Sequence, residues 1–449
     1  MIVPTTLSPV KDSESDLNDR ELCYSILYDC YEKGAFSNLS LNRDDVDDFV
    51  RAAVYGTLTY TYSIDYLIKS TSDKDVSGLD PEVRTILRFG VWQIIYSDKV
   101  PDYAAVNTSV DLANRHARSA SGLINAVLRN VARLTDTQRD LSSNKSPEAA
   151  FSLKPEIYGV IKKSYGKTRA PAIAKALLSP APLAVRTNTL KTETPRLRDK
   201  LMLEGFDVNE SFLLKDSLII GVNADSPSIT GSEAFRAGEF MVQGEGAQLA
   251  SILAQPKPGM SILDCCSAPG GKTTHMAALA GNHAKITALD VNASRLELVM
   301  QNAARLGAEN ITAKVADSTE FDTEDRYDLV LVDAPCSGLG IMGGKPDIRL
   351  TITYERIEQI RDKQRNILDN MSRLVKRGGV LVYSTCTINS AENEEQVSDF
   401  LERHGDFEPF GFDNILPESL KSRGNGGMIT LLPDEDGCEG FFISRMMRK

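Results

Sequence analysis

Apolar positions recur at helical spacing through the first part of the chain and gather into short unbroken runs nearer its end. Between about Asn18 and Leu134, Leu22, Ile26, Leu27 and Cys30 share one helical face, as do Val46, Phe49, Val50 and Ala53, and again Ile124, Val127, Leu128 and Val131. Asp80 before Pro81 predicts the start of a helix carrying Val83, Ile86 and Leu87. Strand signals are weak here, so an all-α bundle over residues 1–140 is expected, with Cys23, Cys30 and the single Trp92 as core residues. The polar stretch 135–150 reads as a linker. Residues 151–240 predict a small α/β module: a basic helix near Ile157–Gly166, a strand at Leu183–Asn188, a helix near Pro195–Glu204, and short strands around Leu218 and at Glu239–Val242.

Over residues 241–449 the pattern alternates. Strands are expected at Ser261–Cys265, Lys285–Asp290, Ile311–Val315, Tyr327–Val332 and Gly379–Tyr383, with helices at Gly271–Ala280, Ala293–Leu306 and Tyr354–Leu374. That rhythm predicts a doubly wound, mostly parallel sheet. Two late apolar runs, Met428–Leu432 and Phe441–Met446, are placed to close it as a hairpin.

Composition sets the frame for any chemistry. At 449 residues the chain is too long for one core, and its 42% hydrophobic and 25% charged content is ordinary for a soluble protein. Seven cysteines, mostly in apolar runs, do not resemble a secreted disulfide framework. The stretch Met1–Pro9 has neither the basic nor the apolar region of a signal peptide, and no run is long enough to span a bilayer. A cytoplasmic, monomeric protein with reduced thiols and no membrane association is expected. The net charge of −11 disfavours a polyanionic partner, but its distribution does not. Residues 1–50 hold 4 Lys/Arg against 11 Asp/Glu, whereas residues 154–200 hold 11 against 3, a basic block able to release counterions from phosphates.

The candidate chemistry sits at predicted strand ends. Cys336, in Asp333-Ala-Pro-Cys-Ser-Gly338, and Cys386, in Ser384-Thr-Cys-Thr387, each follow a buried run. Both lie downstream of a Gly-rich strand-to-helix turn, Asp264-Cys-Cys-Ser-Ala-Pro-Gly-Gly-Lys-Thr273. In an open parallel sheet the carboxyl ends of the strands form the ligand crevice, so the two thiols should converge, and a thiolate beside a cofactor suggests covalent catalysis. The turn is not a nucleotide-triphosphate loop, because Cys266 stands where that motif requires glycine. Gly270 and Gly271 let the backbone approach a ligand, while Asp290, Asp317 and Asp333 end successive strands. A cofactor with a ribose and little phosphate suits that crevice better than ATP. His116, His275, His283 and His404 form no ligand cluster, so no metal is expected.

In their order, Asp264–Thr273, Asp333–Gly338 and Ser384–Thr387 resemble the bacterial Sun/Fmu-type 16S ribosomal RNA cytosine-5 methyltransferases. The likeness covers nearly the whole chain. Pro101–Asn107 and Gly122–Arg129 resemble the NusB-type RNA-binding domain that begins such enzymes, and Arg186-Thr-Asn188, Val242–Leu249 and Gly440-Phe-Phe442 echo the rest. The resemblance implies a Rossmann-like methyltransferase domain that uses S-adenosyl-L-methionine. It places Cys266, Ser267, Ala268, Pro269, Gly270, Gly271 and Lys272 around the methionine end of the cofactor. Asp290 would hold ribose, Asp317 would lie near adenine, and Asp333 would meet the target base. Its implied partner is 16S ribosomal RNA, free or in an early assembly intermediate, and its implied nucleophile is Cys386, with Cys336 assisting product release. DNA cytosine-5 methyltransferases resemble this chain at the Pro-Cys position instead, which would make Cys336 the nucleophile. A non-catalytic RNA-binding factor and a methyltransferase for proteins or small molecules are rival readings. The chain departs from the family pattern at Gly244, where an acidic residue is common, at Met342-Gly-Gly344, and at Cys438-Glu439.

Overall fold

The computed structural model describes residues 13–41, 43, 46–72, 74–221, 228–412 and 415–449. The stretch Met1–Pro9, read above for the absence of a signal peptide, lies outside them. The chain divides into two compact units: Met1–Pro180 with Met342–Tyr354, and Ala181–Ile341 with Glu355–Lys449.

The first unit is helical. Its main helices, Ser13–Lys33, Asp48–Thr59, Thr61–Ser72, Pro81–Ile95, Asp102–His116 and Ser121–Ala132, bury one core that includes Leu27, Val50, Ile86, Leu112, Ile124 and Leu128. Asp47 caps the Asp48–Thr59 helix by accepting from the Val50 N–H at 2.8 Å. Asp80 stands at the N-cap of the Pro81–Ile95 helix without a side-chain cap bond. Cys23, Cys30 and Trp92 are all buried in this core. Trp92 packs where a Cβ on Gly56 would collide with its indole, so glycine there permits a close helix approach. The stretch 135–150 carries two short helices, Asp136–Arg139 and Pro147–Phe151, the former opened by a Thr135/Gln138 capping box.

The compact units do not follow the zones read from the sequence. The long helix Pro155–Ala176, broken at Gly166 (φ 76°), belongs with the helical unit, and so does Met342–Tyr354. In that segment the buried Arg349 guanidinium donates to the carbonyls of Phe151, Ser152 and Leu177, while Asp347 accepts from the Ser37 N–H and hydroxyl. The basic block 154–200 is therefore divided. Part of it lies on the Pro155–Ala176 helix, and the remainder includes the buried Arg186 and the ion-paired Arg198 and Lys200.

The second unit holds two sheets. Strands β1 (Leu183–Thr187), β2 (Asp207–Glu210), β3 (Ser217–Gly221) and β4 (Phe240–Val242) form an antiparallel sheet in the order β2-β3-β1-β4, over a core of Val185, Leu197, Leu201, Leu218 and Phe240. The larger sheet contains β5 (Ser261–Asp264), β6 (Lys285–Asp290), β7 (Ile311–Val315), β8 (Tyr327–Asp333), β9 (Val375–Thr385), β10 (Phe407–Pro409), β11 (Met428–Leu431) and β12 (Phe441–Arg448). Its order is β10-β12-β9-β8-β5-β6-β7, with β11 also paired to β12. Strands β5 to β9 pair in parallel, and β12 runs antiparallel to β9, β10 and β11. Side chains on the central strands alternate between two cores: Ile262, Leu329, Leu331 and Val382 face Leu249, Leu253 and Met276, whereas Leu263, Val330, Val332 and Tyr383 face Ile367, Leu368 and Phe400. Burial on both faces is why these strands read as unbroken apolar runs. Among the described residues no helix is long and apolar enough to cross a membrane.

Candidate active site

The chain leaves β5 outward through β6 and β7, then crosses back to β8 and β9 on the other side. The strand order reverses between β5 and β8, the position where open α/β sheets leave a crevice for ligands. Asp264 ends β5, Asp333 ends β8, and Thr385 ends β9 directly before Cys386.

The Gly-rich turn is pinned by its own backbone and by a buried arginine. Cys265 N–H donates to Leu331 O (2.9 Å), Ser267 N–H to Leu289 O (2.8 Å), and Gly270 N–H to Ser267 O (2.7 Å). Gly270 adopts φ +97° with its Cα face against Val299, after which the Gly271–Leu279 helix begins. Arg186 donates to Gly271 O (2.6 Å), to Gln243 Oε1 (2.7 Å) and to Thr274 Oγ1 (3.2 Å). Burial, and then Arg305, bring its pKa down to about 9. A cavity of about 460 Å³, including its mouth, is lined by Met241, Val242, Gln243 and Ala247 on one wall and by Asp264, Cys266, Ser267, Ala268, Pro269, Gly271, Lys272 and Asp333 on the other. Asp290 and Asp317 lie outside that lining. Asp290 is buried and accepts from the Asn292 N–H; the exposed Asp317 accepts from the Thr319 N–H and hydroxyl, which lower its pKa.

Charge in the cavity is organised around Lys272. Its ammonium donates to Asp333 Oδ2 at 2.7 Å, and Asp333 Oδ1 accepts from Ser384 Oγ at 2.8 Å. Burial works against the ammonium, but Asp333, Asp264 and Cys386 together outweigh it, so the lysine pKa rises. Asp264 is buried, with the Thr273 hydroxyl on Oδ2 and no partner on Oδ1; burial raises its pKa to about 7 against the opposing Thr273 bond.

The two thiols meet. Cys336 Sγ and Cys386 Sγ are 3.3 Å apart, and each residue is partly exposed. Beneath them the fully buried Glu392 carboxylate accepts from the Ser337 N–H (2.8 Å) and hydroxyl, Gln364 Nε2 (3.1 Å) and Asn389 Nδ2 (3.0 Å), while Ser337 Oγ and Thr387 Oγ1 are 2.8 Å apart. Asn393 adds a bond to Thr387 O (2.9 Å) and accepts from Thr385 Oγ1. The residue after each cysteine is thus tied to one buried carboxylate. The hydrogen bond to Cys386, then burial, then the Cys386 and Glu392 charges push the Cys336 thiol pKa well up, and Cys386 in turn adds to the rise of the Lys272 pKa. Among the described residues no group of three or more His, Cys, Asp or Glu is arranged to hold a metal ion.

Residues 251–447 match the model of the 16S rRNA methyltransferase RsmB/F family, and residues 17–133 match the NusB family. A probable ribosomal RNA small subunit methyltransferase B from Bacillus subtilis is 32% identical over 454 residues, covering 96% of this chain and 98% of its own. The chain belongs to the RsmB/F family. A relative of the same name from Synechocystis is 30% identical over 96% of this chain and all of its own. A solved structure of a methyltransferase homolog protein from Pyrococcus horikoshii covers 66% of this chain and all of its own, at 28% identity and a TM-score of 0.55.

Two features of this RsmB/F site escaped the reading of the sequence. Glu392 lies in the polar run Asn389–Glu395, where nothing in the pattern signals burial. Asp264 was read as the start of a turn, and only its enclosure by the parallel strands and Thr273 makes it a buried carboxylate with an altered pKa. Spacing gave one usable signal: Glu392 follows Cys386 by six residues, close enough for the chain to fold back beneath it.

Proposed function

We infer that this chain methylates carbon 5 of a cytosine in 16S ribosomal RNA, with S-adenosyl-L-methionine as methyl donor and Cys386 as covalent nucleophile. Membership of the RsmB/F family supports the substrate and the donor. The observation that carries the chemistry is the pair of sulfurs 3.3 Å apart at neighbouring strand ends.

The residues fit the donor. The cavity has a Gly-rich backbone wall, a helix N-terminus and carboxylates, and among its lining residues Lys272 is the only cation, already engaged by Asp333. That set suits a zwitterionic methionine tail and a ribose better than a triphosphate. When bound there, S-adenosyl-L-methionine supplies an electrophilic methyl group. Cysteine chemistry makes the base reactive: the Cys386 thiolate adds to cytosine C6, and the electron pair displaced toward C5 makes that carbon nucleophilic. The Lys272 ammonium shares the site with Cys386, while the hydrogen bond to Cys386 and burial hold the proton on Cys336. Asp333, held by Lys272 and Ser384, is placed to accept a hydrogen bond from the activated ring. Once C5 carries the methyl group, its proton must leave so that the C6–S bond can break and restore aromaticity; Cys336 is the group proposed to assist that release. The base must be unstacked to enter, at a cost on the order of a few kcal/mol, which favours a loop or single-stranded target.

No disulfide joins any of the seven cysteines, which fits a reducing cytoplasm. On a denaturing gel with 16S ribosomal RNA and cofactor, Cys336→Ala should accumulate a protein–RNA adduct and Cys386→Ala should form none. The reverse pattern would transfer the nucleophile to Cys336.

A further inference from the structure

Gly244 and Glu439, far apart in the sequence, come together in the fold. The Glu245–Ala254 helix begins at Gly244, which has no side chain to receive the first helical N–H groups. The Glu439 carboxylate, from the segment just before β12, lies against Gly244, where the Gly246 and Ala247 N–H groups act to lower its pKa. Those are the second and third residues of the helix, the two donors that an N-cap side chain serves. A Cβ on Gly244 would fall on the Glu439 carboxylate, which would have to shift to admit it.

The capped segment is functional ground. Gln243 and Ala247 line the cavity wall opposite the Gly-rich turn, and Gln243 is bonded to the Arg186 that also holds Gly271. Lys272 faces the Glu439 carboxylate and stands 5.2 Å from the centre of the Phe441 ring. The next residue, Gly440, donates to Gly340 O at 2.9 Å, and Gly340 donates to Cys386 O at 3.1 Å. One short segment thus touches the cavity wall, the lysine and the turn that follows Cys336.

We propose that Glu439 is a positioning residue for the cofactor: it caps the Glu245–Ala254 helix in place of the side chain Gly244 lacks, and so sets the Gln243–Ala247 wall and Lys272 against the Gly-rich turn. It rests on the cofactor cavity described above and adds a residue to it. Burial raises the Glu439 pKa, opposed by the N–H groups of Glu439, Gly246 and Ala247 and by Lys272, so the acceptor is satisfied from both sides.

The test is binding of S-adenosylhomocysteine, followed by calorimetry, alongside thermal melting. Glu439→Gly should weaken binding about tenfold, since the wall loses its anchor. Gly244→Asp alone should also weaken it, because two carboxylates contest one space. The double variant Gly244→Asp/Glu439→Gly, which returns the acceptor to the helix itself, should bind to within about threefold of the parent. Unchanged affinity in Glu439→Gly with only a lowered Tm would reduce Glu439 to a structural cap and overturn the proposal. So would a double variant no better than Glu439→Gly. Should Glu439→Gly fail to fold, recovery of folding and binding in the double variant supports the proposal, and its absence refutes it. Failure of the parent protein to bind would strike at the cofactor cavity itself, a distinguishable result.

Discussion

The helical unit and the large sheet both bury cysteines, and they do so in opposite ways. Cys23 and Cys30 sit among apolar side chains, where burial first, and then nearby carboxylates, push the Cys30 thiol up to about 12 and raise Cys23 further. Cys336 and Cys386 sit over a polar network, beside a lysine on one side and a glutamate on the other. Burial in an apolar core makes a thiol inert filler, whereas a pair of thiols held together at strand ends over a polar network can take part in chemistry. Composition cannot distinguish the two situations.

The contrast can be broken at several points. Removing the nucleophile should have the largest effect: Cys386→Ala should lower methyl transfer from labelled cofactor to ribosomal RNA by on the order of 10⁴-fold or more. Residual activity within tenfold of the parent would show that the sheet cysteine is as passive as the helical ones. Next comes the network. Glu392→Leu strands four buried donors, so urea unfolding should show a loss of about 4 kcal/mol, together with slower adduct formation; a loss below about 1 kcal/mol would mean that neither loop depends on it.

Asp264 sharpens the contrast through pH. Its folded pKa of about 7 lies above the unfolded value near ~3.9, so the folded state holds the proton more tightly. Its contribution to stability is fully present below pH ~4 and is lost as pH rises toward ~7. Asp264→Asn should flatten that decline in Tm across the same window, and an identical slope in both proteins would contradict the assignment. The smallest effect is expected in the helical core: Cys23→Ala should cost about 1 kcal/mol of stability by leaving a small cavity, with methyl transfer unchanged.

Much of this was legible in the chain itself. Lys285–Asp290, Ile311–Val315 and Ala293–Leu306 form at the bounds their patterns predict, because apolar periodicity is a local property. The late hairpin also forms, with β12 inserted beside β9. Other elements were hidden. β2, Asp207-Val-Asn-Glu210, is a polar strand at the edge of the small sheet, and β9 begins at Val375, four residues before its apolar run, because pairing with β8 carries Val375-Lys-Arg377 into the strand. The basic run 154–200 reads as one patch, yet packing assigns its first helix to one unit and buries Arg186 in the other.

Residue types and their order along the chain were enough to name two strand-end thiols, a glycine turn and a row of aspartates. Their spacing from one another was not. The reversal of strand order between β5 and β8 brings Lys272 to Asp333 and Cys336 to Cys386, and the return of the chain before β12 brings Glu439 to Gly244. Hydrophobic patterning is set by neighbours a few positions away, whereas the charge around a buried group depends on partners supplied by distant strands.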